Sequence, residues 1–176
     1  MSDEHRIFLS LGSNIDPETH LRQAVEMLKL QGQDLSISSV WETKAIGIPG
    51  PNFLNACVGL TTPLAPAKIK ERIIRPIESA LGRIRTEQKD APRTIDIDLV
   101  LYDGEPVRME YWGQAFMVVP LAELIPEFEH PTLKMKLAQA AKHLREQDWI
   151  QPRAGILSGS LDQTEGRSEA QRSRSA

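Results

Sequence analysis

Cysteine is scarce in this chain of 176 residues, and long apolar runs and an excess of positive charge are missing. The single cysteine, Cys57, excludes an internal disulfide and a zinc cage built from cysteines. Apolar runs are only a handful of residues long, far short of the roughly 20 that a membrane span requires. The first six residues also contain no apolar signal core. We therefore expect a soluble, cytoplasmic protein that binds no membrane.

The charge balance and the motifs that are absent disfavour nucleic-acid binding, the usual nucleotide-binding loops and zinc sites. The 21 Lys and Arg residues against 24 Asp and Glu residues give a net charge of -3, which disfavours long-range attraction to nucleic acid. The turn Gly12-Ser13-Asn14 matches neither the Gly-x-Gly-x-x-Gly fingerprint nor a Walker-type loop, so the usual nucleotide cradles are absent. The four histidines lack zinc-site spacing. They are His5, His20, His130 and His143.

The length and an apolar content of 40% predict one domain, over residues 1–150. Residues 158–176 contain five serines and almost no large apolar side chain, and such a segment cannot repay the entropy of ordering. We therefore predict a disordered polar tail over residues 151–176.

The periodicity of apolar residues predicts a β-α-β-β-α-β order, followed by two short helices. This order is typical of a ferredoxin-like α+β sandwich with a largely antiparallel sheet and both crossover helices on one face. Asp16 is a suitable N-cap for the first helix, and Pro76 predicts a kink near Arg72 in the second. The predicted strands are 6–12, 35–43, 53–62 and 94–102, and the predicted helices are 17–28, 66–81, 120–125 and 133–145.

The strongest predicted strand places two carboxylates on one side. Ile95, Ile97 and Leu99 alternate with Asp96 and Asp98. If the helices cover the isoleucine side, both aspartates project from the open face. Carboxylates about 7 Å apart can share divalent cations when a phosphate supplies further oxygens. An isolated Asp-x-Asp is nevertheless more often the solvated side of a half-exposed strand.

The same alternation in strand 53–62 places Phe53 and Asn55 on the open face. Four cations lie shortly before the carboxylates, and arginine provides planar, bidentate donors for phosphate oxygens. We interpret this cluster of four cations, beside the carboxylates, as a polyphosphate site. Ion pairs with Glu87 and Asp90 in a surface loop would account for some of the cations but not for their clustering. The four cations are Arg83, Arg85, Lys89 and Arg93.

Six segments of the chain contain recognisable motifs. The longest is Asp90-Ala-Pro-Arg-Thr-Ile-Asp-Ile-Asp-Leu-Val-Leu101. The other five are Leu9–Asn14, Ser38–Thr43, Pro51–Ala56, Gly82–Arg85 and Phe116–Leu121. Together, across about residues 6–127, these segments resemble the 6-hydroxymethyl-7,8-dihydropterin pyrophosphokinase family of folate biosynthesis.

The resemblance implies a transferase that moves the terminal pyrophosphate of ATP to the hydroxymethyl oxygen of the pterin and releases AMP. Its partners are then small molecules, and we expect a monomer. It implies that Asp96 and Asp98 hold two Mg²⁺ ions, and that Arg83 and Arg85 close over the reacting phosphates. Arg93 then supports the triphosphate and Glu78 lies near the nucleotide. The implied pterin contacts are Thr43, Ile46, Phe53, Asn55 and Phe116.

One segment departs from the family pattern. Residues 110–115 are shortened, contain no histidine, and have Gln114 where the family has an arginine near the ATP phosphates. Lys44 stands where proline is common. The sequence leaves open whether Arg108 compensates, and whether the chain is a diverged relative that binds pterin or nucleotide without efficient transfer. An RNA-binding module of the same strand order is a further alternative, although paired carboxylates do not suit RNA.

Overall fold

A computed structural model describes residues 3–47 and 49–157. The strands are β1 (His5–Ser13), β2 (Gln33–Ile37), β3 (Val40–Thr43), β4 (Phe53–Thr62), β5 (Asp96–Tyr102), β6 (Glu105–Pro106) and β7 (Ile150–Arg153). The α-helices are α1 (Pro17–Leu28), α2 (Pro66–Ile69), α3 (Arg75–Ala80), α4 (Ala115–Leu124) and α5 (Leu137–Gln147). A π turn, Lys70–Ile74, joins α2 to α3, and a short 3₁₀ helix, Met109–Tyr111, precedes α4.

All strands belong to one sheet with the order β6-β5-β1-β4-β3-β7, and β2 also pairs with β4. Each pairing between them is antiparallel. The predicted α+β class and antiparallel sheet are therefore confirmed. The predicted strand 35–43 is two strands, β2 and β3, which pair with β4 in succession.

The first face of the sheet carries the larger part of the core. The apolar stripe of α1 and the isoleucines of the α2–α3 segment pack on the inward side chains of β1, β4 and β5. The inward side chains of β4 and β5 are the ones that alternation selects: Leu54, Ala56, Val58, Ile97 and Leu99. The predicted position of both crossover helices on this face is confirmed.

The second face of the sheet, predicted to be open, is covered in part. Phe8, Cys57 and Val100 pack against α4 and α5 in a second buried cluster. Helix α4 begins at Ala115, earlier than predicted, and has apolar residues on nearly all sides, which is typical of a helix buried between other elements. The part of this face nearer Gly12, Asn55 and Asp96 lines a cavity instead.

The irregularity expected near Arg72 is the π turn. Proline lacks an amide hydrogen, and its ring clashes with the carbonyl four residues earlier. The helix here widens by one residue, so that the Arg75 amide donates to the Lys70 carbonyl just before Pro76. The helical segment therefore continues past the proline.

Two local predictions differ from the structure. Asp16 occupies the N-cap position but has a φ of 42°, and its side chain makes no capping hydrogen bond. Residues 151–153 are not tail but part of β7, which pairs with β3, and Ile156 and Leu157 are buried in the core. The rest of the predicted tail, 158–176, lies outside the described residues. No helix in the described part of the chain is long and apolar enough to span a membrane.

Candidate active site

A cavity of about 880 Å³ opens on the uncovered part of the second face. It lies between the sheet, the loop after β3, the loop after α3 and the segment before α4. All eleven residues predicted for substrate, nucleotide or metal binding line this cavity. They are Thr43, Ile46, Phe53, Asn55, Glu78, Arg83, Arg85, Arg93, Asp96, Asp98 and Phe116.

The two aspartates of β5 lie side by side on the floor of the cavity, where they pair with Gly12 and Ser10 of β1. Each has its own cationic neighbour. Arg93 Nη1 donates to Asp96 Oδ2 at 2.8 Å, and Arg83 Nη2 lies 3.8 Å from Asp96 Oδ1.

Asp98 is held from the opposite side of the cavity. Arg108 Nε lies 3.6 Å from Asp98 Oδ1, and the Tyr111 hydroxyl donates to Asp98 Oδ2 at 3.2 Å. Burial raises the pKa of Asp98 to about 6, and the charge of Asp96 adds to the shift. Burial and the charge of Asp98 raise the pKa of Tyr111 to about 12. Burial thus disfavours the charged form of Asp98 despite the nearby Arg108.

Glu78 connects the helical layer to the strand that carries the aspartates. Its side chain is 3% exposed, and Oε1 accepts a hydrogen bond from the Ile97 amide at 3.0 Å. The other oxygen, Oε2, accepts from Arg85 Nη2 at 2.7 Å. Burial raises the pKa of Glu78, and the bond from the Ile97 amide opposes the shift. Glu78 thus anchors one arginine of the loop while it fixes the backbone between the aspartates.

Aromatic and amide groups form the other end of the cavity. Asn55 Nδ2 donates to the Trp41 carbonyl at 3.2 Å and to Thr43 Oγ1 at 2.9 Å. Gly12 lies opposite Asn55 on β1, and a Cβ at this position would lie 3.3 Å from Asn55 Oδ1. The absence of a side chain at Gly12 therefore leaves space for Asn55 at the cavity floor.

Positive charge is concentrated in the cavity. Its lining contains seven Lys or Arg residues and five Asp or Glu residues, although the whole chain has a net charge of -3. An anionic ligand gains more from such a local excess than from the charge of the whole protein.

Tyr111, which no motif singled out, and Arg108, whose compensating role the sequence leaves open, both line the cavity. Arg108 Nη2 donates to the Tyr111 hydroxyl at 2.8 Å, and its guanidinium stacks 4.7 Å from the ring centroid. The Tyr111 ring contacts Phe116 edge to face, with centroids 5.2 Å apart. The segment has no periodicity, so only its position in the fold reveals these contacts.

The two carboxylates in the cavity suit a metal ion whose remaining ligands come from a bound substrate and water. Among the described residues, no group of three or more His, Cys, Asp or Glu side chains is arranged to hold a metal ion. Two carboxylates on alternate strand residues fit Mg²⁺, which usually keeps few protein ligands and completes its shell with water and phosphate.

The chain is similar in sequence to known enzymes. Residues 8–126 match the family described as 7,8-dihydro-6-hydroxymethylpterin-pyrophosphokinase, HPPK. It is 34% identical over 140 residues to the 2-amino-4-hydroxy-6-hydroxymethyldihydropteridine pyrophosphokinase of Synechocystis sp., covering 72% of this chain and 70% of that one. The Bacillus subtilis enzyme of the same name is 36% identical over 134 residues, covering 69% of this chain and 79% of that one.

Solved structures show the same fold. A Plasmodium falciparum HPPK-DHPS superposes with a TM-score of 0.65 at 12% identity, covering 84% of this chain. The chain spans 46% of that longer protein. The order of the motifs agrees with the match over residues 8–126, and this chain belongs to the 7,8-dihydro-6-hydroxymethylpterin-pyrophosphokinase family.

Proposed function

We propose that this protein transfers pyrophosphate from ATP to the hydroxymethyl group of 6-hydroxymethyl-7,8-dihydropterin. One observation carries the proposal: a single cavity joins an aromatic and amide end to an end with paired carboxylates and arginines. The first end suits a flat heterocycle and the second a polyphosphate. The names of the relatives support the same reaction.

In this reaction the hydroxymethyl oxygen forms a bond to the β-phosphorus of ATP. The bond from that phosphorus to the oxygen bridging to the α-phosphate breaks, AMP leaves with that oxygen, and the hydroxyl proton is released. Such a transfer asks the protein for positioning and for stabilisation of negative charge rather than for covalent chemistry.

The pterin is assigned to the end of the cavity near Asn55. Because the Asn55 Nδ2 group is bound to Trp41 and Thr43, its Oδ1 is the atom that accepts hydrogen bonds from the pterin. Phe53 and Phe116 supply aromatic faces for the ring, and Ile46 lines the same end.

The triphosphate is assigned to the arginine end. Arg83 and Arg85 lie on the loop after α3, and Arg93 lies where that loop meets β5. A guanidinium from this loop offers charged, bidentate donors to the phosphate that becomes more negative as AMP departs. The bond from Glu78 to Arg85 keeps one of these donors near the nucleotide.

Asp96 and Asp98 are the residues that would hold Mg²⁺. The pKa of Asp98, raised to about 6 partly by the charge of Asp96, supports this assignment because a cation would relieve the repulsion. A cation held by these carboxylates would supply Lewis-acid chemistry, which polarises the phosphorus and offsets charge on the leaving group.

Arg108 is proposed to supply charge that Gln114 does not. Both residues line the cavity. Arg108 reaches Asp98 and stacks on Tyr111, so its guanidinium lies at the carboxylate end. Its backbone is left-handed, with a φ of 57°, a conformation that costs a non-glycine residue about 1 kcal/mol. The contacts of the guanidinium with Asp98 and Glu110 offset this cost.

The experiment is to incubate the purified protein with ATP, the reduced pterin and Mg²⁺, and to quantify AMP and pterin diphosphate by chromatography. We expect equal amounts of both products. Calorimetry with a nonhydrolysable ATP analogue and Mg²⁺ then measures nucleotide binding separately. Binding of both substrates without AMP release would instead identify a diverged relative without transferase activity.

The matched variant is Asp98→Ala, because this side chain faces the cavity rather than the helical layer. We expect no AMP release and an unchanged far-ultraviolet dichroism spectrum. Asp148→Asn, at the exposed end of α5, serves as the control and is expected to retain wild-type turnover. Full turnover by Asp98→Ala would remove this residue from the reaction.

A further inference from the structure

A buried tryptophan fixes the cavity-facing turn that contains Arg108 and Tyr111. Trp112 directly follows the 3₁₀ helix and is 1% exposed. Its Nε1–H donates to the Val107 carbonyl at 3.1 Å, so the indole closes the turn by binding the residue just before it. The turn is therefore stabilised by Trp112 on the side away from the cavity, whereas Tyr111 lines the cavity.

His130 is the second anchor of this turn, and it is 0% exposed. Its Nε2 lies within hydrogen-bond distance of the Trp112 carbonyl, and its ring meets the Trp112 ring edge to face at 5.8 Å. Its Nδ1 accepts from the amides of Leu133 at 3.1 Å and Thr132 at 3.3 Å. Only the neutral imidazole with its proton on Nε2 satisfies both sides, because Nδ1 must accept while Nε2 donates.

Resting on the proposed pyrophosphate transfer, we propose that His130 is a positioning residue for that reaction, acting through Trp112 on Tyr111. The Tyr111 hydroxyl bonds Asp98 and its ring packs on Phe116, so Tyr111 contacts one residue from each end of the cavity. A shift of the Trp112 carbonyl moves the adjacent Tyr111. His130 itself contacts no substrate, since it lies behind the turn.

Two variants of His130 test the roles of Nε2 and Nδ1 separately. Glutamine keeps a donor near the position of Nε2, and asparagine keeps an acceptor near the position of Nδ1. If His130 acts through Trp112, His130→Gln should recover most of the wild-type kcat, whereas His130→Asn should lower kcat at least fivefold with a smaller change in the KM for ATP. If His130 serves only the turn at residues 130–133, His130→Asn should keep a higher kcat than His130→Gln. That result would show that the proposal is wrong.

A double-mutant cycle with Tyr111→Phe tests the route of the effect. We expect His130→Asn to change kcat less than twofold in the Tyr111→Phe background, because the bond that it disturbs is already absent. Independent, multiplicative effects of the two substitutions would contradict the proposal. Thermal unfolding of each variant, measured in parallel, shows which differences in kcat come from loss of folded protein.

A measurement on unmutated His130 decides the matter if His130→Asn does not fold. The ring nitrogen resonances of His130 are followed by NMR while the nonhydrolysable ATP analogue, Mg²⁺ and pterin are added. We expect a shift of the Nε2 resonance in the wild type that is absent from Tyr111→Phe. The same Nε2 shift in both proteins, or none in either, would overturn the proposal. Failure of the wild type to release AMP would instead refute the transfer reaction.

Discussion

Glu78 Oε2 lies 2.7 Å from Arg85 Nη2, while Oε1 of the same carboxylate accepts the amide hydrogen of Ile97. The residue between the two aspartates is thus bonded through one side chain to an arginine of the loop after α3. Arg85 is 63% exposed, so this ion pair joins a buried acid to an exposed cation. Its loss should change nucleotide binding more than stability.

We predict that Glu78→Gln raises the KM for ATP severalfold and leaves the unfolding temperature unchanged or higher. The amide oxygen still accepts from Ile97, and glutamine carries no charge to bury, whereas burial of the carboxylate raises the pKa of Glu78. Glu78→Ala should instead lose roughly 1–3 kcal/mol, because the Ile97 amide is left without an acceptor. Steady-state kinetics and thermal unfolding test both, with the exposed Glu71→Gln as control.

Asp98 predicts a dependence of stability on pH. Its pKa is raised to about 6 in the folded state, so the folded protein binds this proton more tightly than the unfolded chain. The resulting stabilisation is complete below the unfolded pKa, near pH 4, and is lost as the pH rises through about 6. In metal-free buffer, Asp98→Asn should therefore stabilise the protein at pH 8 by up to about 3 kcal/mol, with no gain near pH 4.

Urea unfolding at several pH values measures this difference, and Asp148→Asn should show none of it. Added Mg²⁺ should stabilise the wild type at pH 8 and leave Asp98→Asn nearly unchanged. Equal stability of the wild type and Asp98→Asn at both pH values would show that burial does not raise the pKa of Asp98.

Arg83 is predicted to increase the kcat of the transfer. Its side chain is largely buried, and in the described part of the chain its Nε has no hydrogen-bond partner. Arg83→Ala should lower kcat by about 10²–10³, the usual cost of a lost donor to transition-state charge. Arg83→Lys should recover only part of the loss, because lysine lacks the planar fork. The exposed Arg75→Ala is the control; a kcat for Arg83→Ala within twofold of wild type would contradict this role.

Gly12 is predicted to set pterin affinity. An alanine Cβ would lie 3.3 Å from Asn55 Oδ1 and 3.8 Å from the Phe53 ring, so the amide must shift. Gly12→Ala should raise the KM for the pterin severalfold and leave the KM for ATP unchanged. Gly113→Ala is the matched control, because a Cβ there meets no atom within 4 Å. An equal rise in both KM values would point to a general disturbance of the sheet.

Alternation along β4 and β5 was enough to predict the face that carries the site. A period of two fixes which side chains share a side, and the apolar set must turn towards the helices. Asp96, Asp98, Phe53 and Asn55 therefore lie on the face predicted for them. The loop residues lie at the same cavity. The clustering of Arg83, Arg85 and Arg93 already indicated a phosphate site, but their individual roles came from family resemblance.

Contacts that depend on chain segments far apart could not be predicted. Tyr111 reaches Asp98 from a turn that Trp112 and His130 contact from behind, and no local pattern connects residue 130 to residue 112. Strand β7 was missed because Gln151 and Pro152 are typical of a loop. Its pairing with β3 rests on backbone hydrogen bonds at a sheet edge, where polar side chains and proline are tolerated.

The position of β7 sets how far the chain can be shortened for expression. The family match ends at residue 126, yet later residues complete the fold. Leu137, Ala140 and Leu144 belong to the buried cluster that contains Trp41. The Ile156 carbonyl accepts a hydrogen bond from Arg22 Nε at 2.8 Å. A fragment trimmed to the match would expose these apolar surfaces and leave β3 as an unpaired edge. We therefore expect a shortened chain to keep this fold only if it extends at least to Leu157.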